Sequence, residues 1–273
     1  MKSIKFLPLL LVLVAMTNCG NPNPEPNEPT LTPETVQDER EFYQLKIYSF
    51  SSEAQIAATD DFLKNAFIPA VKKQGIDKVG VFKFITNETD TVQKTFVLLP
   101  FKSLDQFKEL EGKLMEDETY MAAGSAYIDA NFDNAPYENI SSIVMQAFTD
   151  MPIMATPNLD GPRENRIYEL RSYESPTEKY YINKVDMFNA GGEVKLFDRL
   201  NFNAVFYGEV LSGPKMPNLM YMTTHADMAT RDKNWEAFVD SPEWKALTAM
   251  PKYENNVNHA DIWFMYPTDY SDY

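Results

Sequence analysis

One cysteine, two histidines and ten glycines among 273 residues limit what this chain can do. A single cysteine, Cys19, excludes an intramolecular disulfide, so apolar packing has to hold the fold together. Two histidines, His225 and His259, without a second thiol leave the usual zinc sites short of ligands, and no metal is expected. The sequence contains no Gly-x-Gly-x-x-Gly, no phosphate loop and no Gly-x-Ser-x-Gly elbow, which removes the dinucleotide, nucleotide and serine-hydrolase readings. Positive charge is scarce as well: 25 Lys and Arg face 40 Asp and Glu, a formal charge of −15. Such an excess of acid repels phosphate backbones, so no nucleic-acid partner is expected. The one apolar run of note, Phe6–Met16, is too short to span a bilayer as a mature helix.

That run has a different use. Lys2 and Lys5 precede it, and residues 1–18 read as a signal peptide. Their removal takes two lysines and no acid, moving the charge from −15 to −17. The segment closes on Met16-Thr17-Asn18-Cys19-Gly20, which resembles the lipobox of bacterial lipoproteins, although Asn18 stands where a small residue is usual. The resemblance implies lipidation of Cys19; the alternative is an ordinary secretory signal with a chance cysteine. Residues 19–40 are rich in Pro, Asn and Glu and cannot bury enough apolar surface to fold, so they read as a disordered tether. Anchor, tether and body together point to the cell envelope, with the membrane as a partner through Cys19 and the body either periplasmic or surface-exposed.

The body repeats itself. Phe42-Tyr-Gln-Leu-Lys-Ile-Tyr48 returns 125 positions later as Ile167-Tyr-Glu-Leu-Arg-Ser-Tyr173. Both stretches alternate with period two and predict strands. Behind the first, Leu63, Phe67 and Val71 mark a helix over 53–74, interrupted near Pro69. Strands at 79–86 and 93–100 are joined by the polar turn Asn87–Asp90; a helix at 103–115 and a strand at 139–148 complete the unit. The second copy runs in the same order, with a helix over 177–200 broken at Gly191-Gly192 and a short helix started by Ser241-Pro242. The expected fold class is α+β: two tandem ferredoxin-like (β-α-β-β-α-β) units, residues 41–150 and 166–267, joined by a linker at 151–165. The polar, aromatic residues after Pro267 have no evident place.

Tyr168-Glu-Leu-Arg171 and Trp235-Glu-Ala-Phe238-Val-Asp-Ser-Pro-Glu-Trp244 resemble the NIPSNAP family, a subset of the dimeric α+β barrel superfamily. Trp235 and Phe238 fall on one helical face, and Trp244 follows from the restarted helix, so the motif reads as packing. The first unit carries it weakly, with Phe107, Leu110 and Tyr120 as counterparts. The resemblance implies antiparallel sheets pressed face to face, here as an intramolecular barrel that needs no second copy, although homo-oligomers stay open. Some relatives in the superfamily use haem; nothing near His225 or His259 supports it, and no cofactor is expected.

Candidate site residues follow from a choice of strand face. If Tyr168 and Leu170 face the helices, Glu169, Arg171 and Tyr173 point between the sheets. Tyr207, Tyr221 and His225 join them from neighbouring strands, making a ligand-binding set for a polar or aromatic small molecule. The bland reading is a cross-strand ion pair with packed tyrosines. On the favoured view this is an envelope protein binding a small molecule or envelope partner between its sheets, with no established catalysis. The alternative is an enzyme of the superfamily, a cofactor-independent monooxygenase, isomerase or dehydratase, with His225 as base and Arg171 holding an anionic group.

Overall fold

Eight antiparallel strands close into one barrel in the order β1-β3-β2-β8-β5-β7-β6-β4. The computed structural model describes residues 39–85 and 92–273. The predicted signal peptide, Cys19, nearly all of the predicted tether and the predicted turn at Asn87–Asp90 lie outside those residues. Among the described residues, no helix is long and apolar enough to cross a membrane.

The first half supplies β1 (Phe42–Phe50), α1 (Glu53–Phe62), α2 (Ile68–Lys73), β2 (Gly80–Phe84), β3 (Gln93–Phe101), α3 (Leu104–Met115), α4 (Glu118–Ala123), α5 (Ser125–Ile128) and β4 (Asn139–Ala147). The second supplies β5 (Ile167–Glu174), α6 (Glu178–Phe188), α7 (Glu193–Arg199), β6 (Ala204–Ser212), β7 (Asn218–His225), α8 (Met228–Asp240), α9 (Pro242–Thr248) and β8 (His259–Pro267). Pro69 does not break its helix. A π turn at Leu63–Phe67 comes first, and Pro69 sits in the opening turn of α2. The break between α6 and α7 falls at the predicted glycines. Gly192 adopts φ +87°, and a Cβ on Gly191 would lie 2.4 Å from the Met187 carbonyl oxygen. Ser241 caps α9 by accepting the Trp244 amide, as its Ser-Pro start predicts. The short helices α4 and α5 were not legible, because their six and four residues are too few to show a period.

Each half arranges its strands in the same way, fourth-first-third-second. The two sheets are joined edge to edge: β2 pairs with β8 (Phe84↔Met265) and β4 with β6 (Gln146↔Glu209). This sharpens the face-to-face picture. No strand in the barrel is left as an edge.

The barrel separates three apolar layers. Its lumen is packed by side chains from all eight strands, among them Tyr43, Leu45, Phe82, Phe96, Met145, Tyr168, Leu170, Phe206, Met220 and Met265. Outside, α1 to α5 cover the first half around Phe62, Phe67, Val71 and Leu114. Helices α6 to α9 cover the second around Phe188, Phe197 and Phe238. Burying each large apolar side chain contributes about 1.5–3 kcal/mol, so the three layers together replace the disulfides that the sequence lacks.

The residues after β8 turn back along β2. Thr268 donates to the Val81 carbonyl at 3.0 Å and the Asp272 amide to that of Val79 at 3.0 Å. The Asp272 carboxylate accepts from the Val79 amide, and the Ser271 hydroxyl from the Val81 amide.

Candidate functional site

The strand-face choice made from the sequence is inverted. Tyr168 and Leu170 point into the lumen, whereas Glu169, Arg171 and Tyr173 point outward beneath α6 and α8. Tyr207 and Tyr221 lie in the same outer layer, and His225 packs there against Phe202. All six predicted residues therefore come together, on the opposite side of the sheet from the space between the sheets. That space is filled by lumen side chains. The physical reason is plain: both faces of β5 are buried, so period two cannot say which is the lumen. Charge can stay on the outer face because α8 brings its partners, Arg231 and Trp235.

Glu169 is the centre. Its side chain is fully buried, and Arg231 on α8 reaches it with two donors, Nε to Oε2 at 2.8 Å and Nη2 to Oε1 at 2.9 Å. The Trp235 indole N–H donates to Oε2 at 2.9 Å, and Arg171 Nε to Oε1 at 2.6 Å. The Arg171 guanidinium also lies over the Trp235 ring, 3.7 Å from its centroid. Burial would raise the Glu169 carboxyl, but the hydrogen bonds and positive charge of Arg231, Arg171 and Trp235 outweigh it and hold the pKa below the usual carboxylate range. From Arg171 the network runs on to the Tyr173 hydroxyl at 2.8 Å, and from there to that of Tyr221 at 2.9 Å. The two stretches that carry the family resemblance are thus bonded to each other. Tyr168–Arg171 and the Trp235 helix form one clamp of strand to helix.

The first half lacks this clamp. The positions 125 earlier hold Gln44 and Lys46, and the counterpart of Trp235 is Phe107, which has no N–H to place. Gln44 donates instead to Ser142, and Lys46 sits over the Phe67 ring. Carboxylate, arginine and indole are missing together, as expected of groups that satisfy one another.

His225 is sealed. Its side chain has no exposure, and its ring nitrogens lie 3.4 Å from Thr223 Oγ1 and from Asn234 Nδ2. Burial lowers its pKa to about 4, against the pull of Glu169, so the ring is neutral at neutral pH. Neither it nor Arg171, held between Glu169 and Trp235, is set out to meet a substrate. A buried ion pair that sequence reading missed, Lys184–Glu193 at 2.8 Å, ties α6 to α7. Its members stand nine residues apart across the glycine break, a spacing with no helical meaning.

Tyr207 differs from the other five. Its ring stacks on Phe148 and Tyr221, yet its buried hydroxyl has no hydrogen-bond partner. It borders an outward depression of about 270 Å³, walled by Met151, Val194 and Ala204. Asp150, Asp198 and Lys195 stand at the same opening, Lys195 reaching Asp150 at 3.4 Å. Burial, with Glu193 and Asp198 nearby, pushes the Tyr207 phenol well above its ordinary value, so it stays protonated and can donate.

Among the described residues, one group has metal-capable side chains in reach of one another: Glu174, His259 and Asp261, at the far end of β5 and β8. The Lys215 ammonium contacts both Asp261 and Glu174 and already supplies the positive charge there.

Residues 168–272 match the model of the NIPSNAP family. The fold is α+β, with a closed eight-stranded antiparallel barrel, and it resembles solved structures of other proteins. A candidate monooxygenase from Lactobacillus acidophilus superposes with a TM-score of 0.52 at 9% identity, covering 84% of this chain and 94% of its own. Another, from Fusobacterium nucleatum, gives 0.50 at 8% identity, covering 84% and 92%. At such identities the likeness concerns the fold alone. No curated protein matches the chain by sequence.

Proposed function

We propose that this is a lipid-anchored cell-envelope protein whose barrel serves as a binding module for a small molecule, without chemistry of its own. The two halves are read as tandem ferredoxin-like units, a reading supported by the 125-residue echo and by the identical strand order in each. The observation that carries the binding role is the contrast within the predicted set. Glu169, Arg171, Tyr173 and Tyr221 are taken up by one another, and His225 is enclosed, while Tyr207, which borders an open depression, keeps a buried hydroxyl without a partner. The binding place is therefore the helix side of the second half, and no longer the space between the sheets. Apolar walls with a phenolic donor and two carboxylates at the mouth suit a small amphipathic molecule carrying a polar or cationic end. An enzymatic role would need a base with reach, and the neutral, enclosed His225 does not offer one.

A ligand-observed NMR screen of small aromatic and aliphatic amines against the purified protein tests this. Binders should be lost from Ala204→Trp, which fills the depression, and weakened about 3- to 10-fold in Tyr207→Phe by loss of one hydrogen bond. Binders indifferent to both changes would place the site elsewhere, and no binders at millimolar concentration would leave the envelope-partner reading. The anchor is tested separately. Cys19→Ser should move the protein from the membrane to the soluble fraction of its cells, and unchanged fractionation would refute lipidation at Cys19.

A further inference from the structure

The residues that follow β8 do more than turn back along β2, because Tyr273 reaches the lumen. Tyr273 is 3% exposed and packs into the lumen cluster, its ring 6.2 Å from that of Phe82. Phe82 in turn lies 4.7 Å from the ring of Tyr168. On its other side Tyr273 borders an outward depression of about 210 Å³ with Gly75, Lys78 and Lys102 at its rim. Tyr273 and Met154 thus stand between that depression and the barrel interior.

The surroundings of Tyr273 fit it poorly in polar terms. Its hydroxyl donates to the thioether of Met154, a weak acceptor. Nearby, the Tyr43 hydroxyl is buried without a hydrogen-bond partner, while that of Tyr168 faces the Arg166 guanidinium. Buried polar groups are normally satisfied, and an orphaned phenol beside Tyr273 calls for an explanation. The phenols sense one another there: burial first, then charge, raises Tyr273 beside Tyr168, and Tyr43 beside Tyr273. Arg163, from the linker, is turned wholly to the tail. Its Nε donates to the Tyr273 main-chain oxygen at 2.7 Å, Nη2 to that same oxygen and to Ser271 O at 2.7 Å, and Nη1 to Thr268 O at 3.0 Å. A planar guanidinium fork closed on an oxygen beside an aromatic ring is the geometry that also receives a carboxylate.

We infer that the barrel end sealed by Tyr273 is a binding chamber for a small aromatic carboxylate, whose place the tail's own ring and main-chain oxygen hold. A ligand of this class reproduces both parts of what Tyr273 presents, a ring for the Phe82 wall and an oxygen pair for Arg163. A hydroxyl on its ring supplies the polar atom that Tyr43 lacks. Lys78 and Lys102 at the rim favour entry of an anion; Glu41 and Asp77 share that rim, and Glu41 is engaged by the Met154 amide. This chamber is separate from the Tyr207 depression, and either can fail without the other.

Isothermal titration of the full chain with 4-hydroxyphenylacetate tests it. Deleting Tyr273, which removes both the ring and the main-chain oxygen that occupies Arg163, should let the protein bind the probe at least tenfold more tightly than the unaltered protein and than Tyr273→Phe, which keeps both in place. Adding Arg163→Gln to the deletion should abolish that gain. Equal affinity in the deletion variant and the unaltered protein overturns the inference, as does a gain that toluene reproduces, since a vacated apolar space would explain it. Should the deletion variant lose its near-ultraviolet dichroism, the unaltered protein carries the test through ring-¹³C tyrosine NMR. Excess probe should then move the Tyr273 resonance to its solvent-exposed position, and an unmoved resonance at saturation overturns the inference.

Discussion

Glu169→Ala should destabilise the protein by about 3–5 kcal/mol, the cost of removing one partner from a buried charge cluster. The large value comes from what is left behind. Arg231, Arg171 and the Trp235 indole together direct four donor groups at this carboxylate. Without it, two guanidinium groups and an N–H stay in a layer where water cannot replace the acceptor. Glu169→Gln should recover only part of the loss, because its NH2 would meet donors. The contrasting change is Gln44→Ala at the equivalent position of the first half. There a single neutral hydrogen bond to Ser142 is removed, at a cost of about 1 kcal/mol. Urea unfolding of the three variants gives the comparison directly. Against a usual total of about 5–15 kcal/mol, the Glu169→Ala loss would be conspicuous. Equal, small effects at Glu169 and Gln44 would mean that the clamp contributes no more than an ordinary strand contact.

The same clamp shows how much could be read in advance. The echo between Phe42–Tyr48 and Ile167–Tyr173 falls on two strands, β1 and β5, as its period-two alternation predicts. The Ser241-Pro242 start and the Gly191-Gly192 break were local signals and appeared where local chemistry put them. What could not be read was the side of the sheet. On β5 the alternating residues Tyr168, Glu169 and Leu170 are buried and Arg171 is largely covered, and only the position of α8, sixty residues on, decides which pair meets Arg231 and Trp235. The bond between the two family motifs was implicit in their types, a carboxylate and an indole, but nothing in spacing joined them. The tail was illegible for a related reason. Tyr273 owes its place to Arg163, 110 residues earlier, and to the lumen it closes.

Acid should separate the two ionisable residues that sequence reading placed together. His225 titrates near 4 in the folded protein against 6.5 in the unfolded chain. Between those values the unfolded chain takes up a proton that the folded protein refuses, so stability is complete above pH 6.5 and falls as pH drops toward 4. About 2.5 pH units of displacement correspond to about 3 kcal/mol. Glu169 acts lower down. Its depressed pKa gives a contribution that is full above the unfolded value of 4.5 and is lost only as pH falls through the folded one. Glu193 opposes both, because burial raises its pKa and its protonation on acidification relieves a cost. Facing His225 are Glu169 and Asp232, which favour its charged form, and Arg171 and Arg231, which oppose it; burial decides. His225→Asn should therefore flatten the fall in unfolding free energy between pH 6.5 and 4.5 by about 2 kcal/mol, whatever it costs at neutral pH. Urea midpoints across that range, with the slope as the readout, check it. Parallel slopes would show that His225 takes its proton as readily folded as unfolded. The imidazole would then be open to solvent protons, and its standing as a base in a binding or reacting site would have to be restored.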